Sequence, residues 1–239
     1  MSSKNIAIET PDLLWKDLYR IGGIASLLIA AGVVLAIVAY FIWPYKGNFT
    51  SMETIFATLQ SDRLGGLISL DISMLLIAPL NILMFLGIYA ALKRVNESWA
   101  LIALMLALTA VVLVILCRPL VELTSLSDKY TVATNPDEKL RYLAAGEVLR
   151  SSLDGTAWLM QTIFFMVAGL INCLLMLRTP FFGKATAWFG IVISTVGLGF
   201  FLPSIGLMFL FLNTIGSVPW CFLLARDFFK IESAISKTA

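Results

Sequence analysis

The sequence predicts an all-α integral membrane protein, a bundle of six transmembrane helices with short amphipathic helices in the outer loops. Of the 239 residues, 59% are hydrophobic and 13% are charged, whereas about a quarter of the residues in an ordinary soluble domain are charged. The charged residues also gather in short clusters that separate long uncharged stretches. This pattern is expected where lipid, and not water, surrounds those stretches.

Six apolar stretches are long enough to cross a bilayer. A hydrocarbon core of about 30 Å requires about 20 residues of helix. The predicted spans are residues 21–43, 64–92, 99–117, 156–177, 185–202 and 204–225. Together they predict one membrane domain over residues 1–239. Because only a tight turn at Pro203 separates the last two spans, we expect them to be antiparallel neighbours.

Two outer loops, residues 44–63 and 118–155, are long enough to hold helices of their own. In the first loop, Thr50 followed three residues later by Glu53 predicts a capping box. We expect it to open a short helix that ends near Arg63.

The second outer loop and the chain before the first span carry helix-start signals. Asn135 followed by Pro136 predicts an N-cap with proline in the first turn, opening a helix that runs to about Leu153. Thr10–Asp12 predicts the start of an amphipathic helix that lies on the membrane surface ahead of the first span.

The distribution of Lys and Arg predicts the orientation in the membrane. Of the 17 such residues, ten fall on the side that holds both termini and seven on the other. Since cytoplasmic loops carry the excess of Lys and Arg, we expect both termini in the cytoplasm and the protein in the plasma membrane. The ten are Lys4, Lys16, Arg20, Lys93, Arg94, Arg178, Lys184, Arg226, Lys230 and Lys237.

Several kinds of chemistry are excluded by composition. The chain has no histidine, so histidine-held haem, histidine-ligated zinc and Ser–His or Cys–His catalytic pairs are impossible within it. Cys117, Cys173 and Cys221 match no metal-binding spacing and are typical of packed apolar segments. The net charge of +2 without a basic run argues against nucleic acid as a partner. We therefore predict no metal and no cofactor.

Three short motifs resemble those of the prokaryotic six-span family known as domain of unknown function 4386. They are Arg20–Ile24 at the start of the first span, Gly87–Asn96 at the end of the second, and Pro180–Lys184 ahead of Gly190. The resemblance covers most of the chain. It implies a membrane location and a six-helix bundle, and it implies no activity.

Asp71 is the most unusual position, because the second predicted span places this acid about 10 Å below its outer end. An acid there costs several kcal/mol unless it is protonated, hydrated or paired. We predict that Arg118, at the outer end of the third span, pairs with it. The pair either lines an outward-facing polar cavity for a proton, ion or small solute, or clamps two helices together.

Other polar residues in or beside the spans have two interpretations as well. Gln161 and Asp154 lie at a similar depth to Asp71 and extend the predicted polar patch. Asn81, Asn172 and Asn213 lie deeper, where asparagine usually bonds to a neighbouring helix. They serve either as contacts between helices or as part of a solute pathway.

Three functional hypotheses follow. The chain is an accessory or structural subunit that binds a membrane protein partner or a second copy of itself, a transporter or receptor built around Asp71, or an intramembrane enzyme. An enzyme is disfavoured because no second intramembrane acid and no nucleophile beside a base is present. Transport is disfavoured by the lack of charged residues along the spans. We predict an accessory subunit without enzymatic activity, with the lipid bilayer as its surroundings.

Overall fold

The computed structural model describes residues 13–238, and every regular element in this range is a helix. Six helical stretches are long and apolar enough to cross a membrane. The predicted fold class, an all-α membrane protein with six spans, is therefore confirmed. The amphipathic start predicted at Thr10–Asp12 lies outside the described residues.

Ten α-helices follow one another along the described chain. Short 3-10 helices lie at Leu13–Trp15, Tyr45–Asn48 and Gly199–Phe201. The α-helices are α1 (Lys16–Ile42), α2 (Met52–Ser61), α3 (Arg63–Ser69), α4 (Ile72–Leu92), α5 (Glu97–Leu116), α6 (Leu120–Val132), α7 (Pro136–Leu153), α8 (Thr156–Met176), α9 (Lys184–Leu198) and α10 (Gly206–Thr238).

The prediction of one continuous helix over residues 64–92 is wrong. The helix α3 ends at Ser69, and α4 begins at Ile72. Between them Asp71 adopts a left-handed backbone with φ of 67°, and its N–H donates to the carbonyl of Ile68 at 3.0 Å. This is how many helices end, and Asp tolerates the left-handed conformation better than most residues. Asp71 therefore precedes the membrane helix α4 and does not lie about 10 Å below the outer end of a span.

The sixth span is longer than predicted. The helix α10 continues to Thr238, well past the predicted end at Ala225. Phe228, Ile231 and Ile235 are buried on one face of this extension, at the three- and four-residue spacing of an amphipathic helix. The extension is held by packing, so the charges that follow the span do not end the helix.

The helix predicted in the first outer loop exists, but its capping box is one residue further along. Ser51 is the N-cap of α2, and its hydroxyl accepts a hydrogen bond from the N–H of Thr54. The Thr54 hydroxyl in turn accepts one from the N–H of Ser51 at 3.2 Å. Ser51 and Thr54 thus form the capping box in place of the predicted Thr50 and Glu53. An N-cap residue has an extended backbone, and Ser51 is the residue that has it here.

The second outer loop contains one predicted helix and one that was not predicted. Asn135 caps α7 by accepting a hydrogen bond from the N–H of Asp137 at 2.9 Å, and α7 ends at Leu153 as expected. The helix α6 follows Pro119 and fills the part of the loop before it.

Contacts divide the chain into two compact units. Among the described residues, the bundle unit comprises residues 13–33, 77–111 and 161–238, and the loop unit comprises residues 34–76 and 112–160. In the bundle unit, α9 and α10 form the predicted antiparallel hairpin. Trp220 donates to the carbonyl of Thr186 at 3.2 Å, and the Asn213 amide donates to the carbonyl of Ile193 at 2.8 Å. The later residue of α10 thus contacts the earlier residue of α9, which is the pattern of an antiparallel pair.

Glycine permits the closest helix crossing in the bundle unit. A Cβ atom built on Gly22 of α1 would lie 3.4 Å from the Cα of Gly87 on α4 and 3.2 Å from the ring of Phe228 on α10. Three helices therefore meet where two of them have no side chain.

The loop unit has an apolar core of its own. Met52, Ile55, Phe56 and Leu59 line one face of α2 and are almost fully buried with residues of α6. Gly146 lets α7 join this core, since a Cβ there would lie 2.8 Å from Met52 and 2.9 Å from Phe56. Burial of such side chains is the main favourable term for this unit.

Candidate functional site

Arg118 lies at the centre of the polar contacts in the loop unit. It follows the end of α5, and it is only 4% exposed. One Nη atom donates to the carbonyls of Cys117 at 3.1 Å and Leu153 at 2.8 Å. The guanidinium carbon also lies 4.6 Å from the ring centroid of Trp158, at cation–π distance. The arginine thus joins the end of α5 to the end of α7 and the start of α8.

The predicted pair between Arg118 and Asp71 is present. The second Nη atom lies 3.4 Å from the Asp71 carboxylate and 3.6 Å from the sulfur of Met74. The aspartate side chain is 26% exposed, whereas that of the arginine is 2% exposed. Because the ion pair is long and the carbonyl contacts are short, backbone carbonyls contribute most to holding the guanidinium.

The Nε atom of Arg118 has no hydrogen-bond partner among the described residues. A buried donor left without a partner costs about 1–3 kcal/mol. Burial of the arginine is therefore only partly compensated, which favours a positional role that fixes its neighbours over a role as a stabilising ion pair.

A polar pocket of about 170 Å³ lies beside Asp71, within the loop unit. Asp71 and Asp154 contribute carboxylates to its lining, and Ser69 and Arg150 contribute further polar side chains. Arg150 is already engaged, because it donates to the carbonyl of Phe49 at 3.0 Å and lies 3.5 Å from Glu147. The remaining lining residues are Phe49, Ile55, Leu70 and Leu153.

Gln161 is not among the described residues that line this pocket. It belongs to the bundle unit, where it is buried and its amide donates to the hydroxyl of Thr162 at 2.8 Å. Of the four predicted site residues, the structure thus brings together Asp71, Arg118 and Asp154.

The three predicted inter-helix asparagines differ in their contacts. Asn213 bonds across to α9, as described above. The Asn81 amide instead donates within its own helix, to the carbonyl of Ile77 at 3.2 Å. Asn172 is buried in α8. The interpretation as a contact between helices thus fits Asn213 directly and does not describe Asn81.

Polar contacts also join α2 and the residues after it to α6. Gln60 donates to the carboxylate of Asp128 at 2.8 Å, and Arg63 pairs with the same oxygen. The hydrogen bond from Gln60, followed by that from Arg63, holds the pKa of Asp128 below its ordinary value. Nearby, the hydrogen bond from Tyr45 to Asp62 at 3.0 Å raises the pKa of the tyrosine.

Asp227 is a buried site that the sequence did not single out. Its carboxylate accepts hydrogen bonds from the N–H of Gly183 at 2.8 Å and from the hydroxyl of Thr186. The Nε and Nη atoms of the neighbouring Arg226 donate to its other oxygen at 3.0 and 2.9 Å. The helix α9 has no capping side chain of its own, so an acid on α10 caps it.

The structural features establish a multi-pass membrane protein, with its six apolar helical stretches surrounded by a lipid bilayer. They also define two polar clusters, one around Arg118 and one around Asp227. Comparison of the chain with known protein families, curated proteins and solved structures gives no match.

Proposed function

We propose that this chain is a non-enzymatic accessory subunit of a plasma-membrane assembly, and that the exposed face of α7 binds a helix of a partner protein. The observation that supports this proposal is an exposed row of aliphatic side chains on α7, here called the ridge, which consists of Leu140, Ala144 and Val148. Leu140 is 66% and Val148 70% exposed, and the four-residue spacing places all three on one side of the helix.

The ridge has the character of a protein interface in water. Asp137, Arg141 and Glu147 are exposed on the same face of α7, so this face is a poor match for hydrocarbon. Apolar anchors at helical spacing inside a charged rim are typical of helix-in-groove recognition. The small Ala144 between two larger anchors allows the partner to approach closely.

The rest of the loop unit holds α7 in one position. Its opposite face packs through Gly146 onto α2, and the carbonyl of Leu153 at its end accepts a hydrogen bond from Arg118. A preorganised helix loses less conformational freedom on binding than a mobile one. The clamp interpretation of Arg118 therefore supports the same proposal.

The membrane helices themselves give little support to ion transport. The helices α4 and α8 contain no Asp, Glu, Lys or Arg. In α5 and α9, the only such residues are Glu97 and Lys184, at the first position of each helix. Charged residues along the helices usually mark an ion pathway. The family resemblance to domain of unknown function 4386, which remains a proposal, is compatible with either role.

The test places a photo-reactive benzoylphenylalanine at position 144 in intact cells. We expect a crosslink to one protein chain, and we expect Leu140→Lys with Val148→Lys to reduce the crosslink and the co-purified partner at least tenfold. Val132→Lys, at an exposed aliphatic position of α6 outside the ridge, is the matched control and should change neither. Crosslinks to lipid alone, or a double variant that keeps its partner, would contradict the proposal.

A second candidate function is recognition of a small cation by the pocket beside Asp71. The carboxylates of Asp71 and Asp154, which both line this pocket, favour it. In this case the loop unit would be the ligand-binding part of a receptor or transporter.

Asp71→Asn tests this candidate without disturbing the turn, since Asn also adopts the left-handed conformation readily. If the pocket binds cations, titration calorimetry of the purified chain with methylammonium should show binding that Asp71→Asn weakens about tenfold. Asp137→Asn, an exposed acid outside the pocket, should leave it unchanged. The candidate fails if the native chain gives no binding heat, or if the two variants behave alike.

A further inference from the structure

The bundle unit contains a second cavity, partly open and of about 220 Å³, lined by α1, α4, α8, α9 and α10. None of its described lining residues is Asp, Glu, Lys or Arg. All the helices that line it belong to apolar stretches long enough to cross a membrane. A charged ligand would lose its hydration there without gaining an opposite charge, which is costly. The cavity therefore selects against ions.

Two asparagines give the cavity hydrogen-bond acceptors. The Asn81 amide donates to the carbonyl of Ile77, and the Asn213 amide donates to the carbonyl of Ile193 and to the sulfur of Met166. A backbone carbonyl can only accept a hydrogen bond, so in each asparagine the amide nitrogen, and not the side-chain oxygen, faces that carbonyl. The side-chain oxygens of both asparagines accept no hydrogen bond from the described residues. Each residue is half-buried and lines the cavity.

Two of the donors that line the cavity are already used. The Trp220 N–H donates to the carbonyl of Thr186 at 3.2 Å, and the Ser217 hydroxyl donates to the carbonyl of Thr214 at 2.7 Å. The Trp220 and Ser217 donors therefore offer nothing to a ligand that only accepts hydrogen bonds, and the Ser194 hydroxyl is the lining hydroxyl that remains. A ligand that donates one would satisfy an asparagine oxygen.

The other walls are apolar and well fixed. The rings of Phe85 and Phe165 stack with centroids 6.0 Å apart, and both line the cavity. Gly169 brings α8 close to α9, since a Cβ there would lie 2.6 Å from the Ser194 hydroxyl. An aromatic ligand fits such walls, because aromatic pairs gain about 0.5–1.5 kcal/mol beyond simple burial.

We propose that this cavity is a binding site for a neutral, mainly apolar molecule, about the size of a substituted benzene ring, that donates a hydrogen bond to Asn81. A cavity of about 150 Å³ is known to hold benzene, so about 220 Å³ holds such a ring with small substituents. A lipid acyl chain has no donor and would leave the asparagine oxygens unsatisfied. The proposal is independent of the partner-binding role of α7.

The experiment compares two probes that differ in one donor. The purified full chain in lipid nanodiscs is titrated with 4-(trifluoromethyl)phenol and, separately, with 4-(trifluoromethyl)anisole, and fluorine-19 NMR measures the bound fraction. We expect the phenol to bind about tenfold more tightly than the anisole, the usual effect of one hydrogen bond lost in a buried site. Asn81→Leu should reduce the affinity for the phenol to that for the anisole.

The control is Thr109→Val, which removes a polar side chain that also bonds only within its own helix, to the carbonyl of Met105 on α5. Thr109 does not line the cavity, so this variant should bind the phenol normally. Circular dichroism verifies that both variants are folded. The proposal is overturned if neither probe binds, if the two probes bind equally, or if Asn81→Leu binds the phenol as the native chain does. Equal binding of 4-(trifluoromethyl)benzoate would overturn it as well.

Discussion

Asp227 combines near-complete burial with four donors. It is 1% exposed and is the one buried acid among the described residues. Two of its donors, Gly183 and Thr186, belong to the start of α9, where backbone N–H groups lack partners within the helix. A carboxylate at this end of a helix also interacts favourably with the helix dipole. The contact therefore fixes the position of α10 against the start of α9.

Replacing this acid should destabilise the bundle unit. We expect Asp227→Ala to lower the free energy of unfolding by about 2–3 kcal/mol, because the N–H of Gly183 and the hydroxyl of Thr186 lose a charged acceptor. The partly exposed Arg226 keeps access to water, so its share of the loss is small. Asp227→Asn keeps an acceptor and should cost less.

Unfolding of the detergent-solubilised chain by denaturant measures both variants. Asp137→Asn, which changes an exposed acid in the first turn of α7, should stay within about 0.5 kcal/mol of the native chain. If Asp227→Ala unfolds at the same denaturant concentration as this control, the carboxylate does not hold the two helices together.

The sequence identified one of the two polar clusters and missed the other. Asp71 was found because an acid interrupts a long apolar stretch. Asp227 stands beside Arg226 where the predicted span ends, and adjacent charges at that place usually face water. Its burial depends on Gly183, which is 44 positions away along the chain, and no local pattern reports such a contact. The one local signal was that apolar residues continue on both sides of Arg226 and Asp227.

At the scale of elements, hydropathy predicted where the helices are but not where they break. Residues 64–92 are apolar on both sides of Asp71, so their composition fits one helix. The break arises from the left-handed backbone at Asp71, and hydropathy carries no information about backbone angles. The short helix α3 before the break is capped by Asp62, which accepts a hydrogen bond from the N–H of Gly65 at 2.9 Å.

The missed helix α6 did have a signal in the sequence. Leu120, Leu123 and Leu126 recur every three residues and are followed by Tyr130, which is the spacing of a buried helical face. Leu120 and Leu123 are indeed buried in the core of the loop unit. Arg118 and Pro119 mark the end of the third predicted span, and the periodicity after them predicts the start of a further helix.

At the scale of the whole molecule, composition was sufficient for the fold class. A chain with long uncharged stretches has few ways to satisfy its backbone hydrogen bonds in lipid, and helices are the simplest of them. The partner that we propose for α7 and the ligand that we propose for the cavity are not determined by that rule. They depend on a few side chains that are exposed on α7 or that line the cavity between the membrane helices. Composition does not distinguish these side chains from their neighbours.

The orientation of the six spans is the last property that the sequence predicts and the one on which the location of α7 depends. Ten of the 17 Lys and Arg residues lie on the side of the two termini, so we expect that side to be cytoplasmic. The three native cysteines are buried and unpaired, which gives a low background for thiol labelling. Ser125→Cys on α6 and Ser233→Cys on α10 then report on the two sides, since both positions are exposed.

A membrane-impermeant maleimide should label Ser125→Cys in intact cells, and should label Ser233→Cys only after the membrane is permeabilised. The reverse result would invert the orientation, and the ridge of α7 would then face partners in the cytoplasm. Labelling of both positions in intact cells would be incompatible with the three membrane crossings, by α8, α9 and α10, that separate Ser125 from Ser233. Because Ser125 lies outside the ridge, a bound partner on α7 does not explain a missing label.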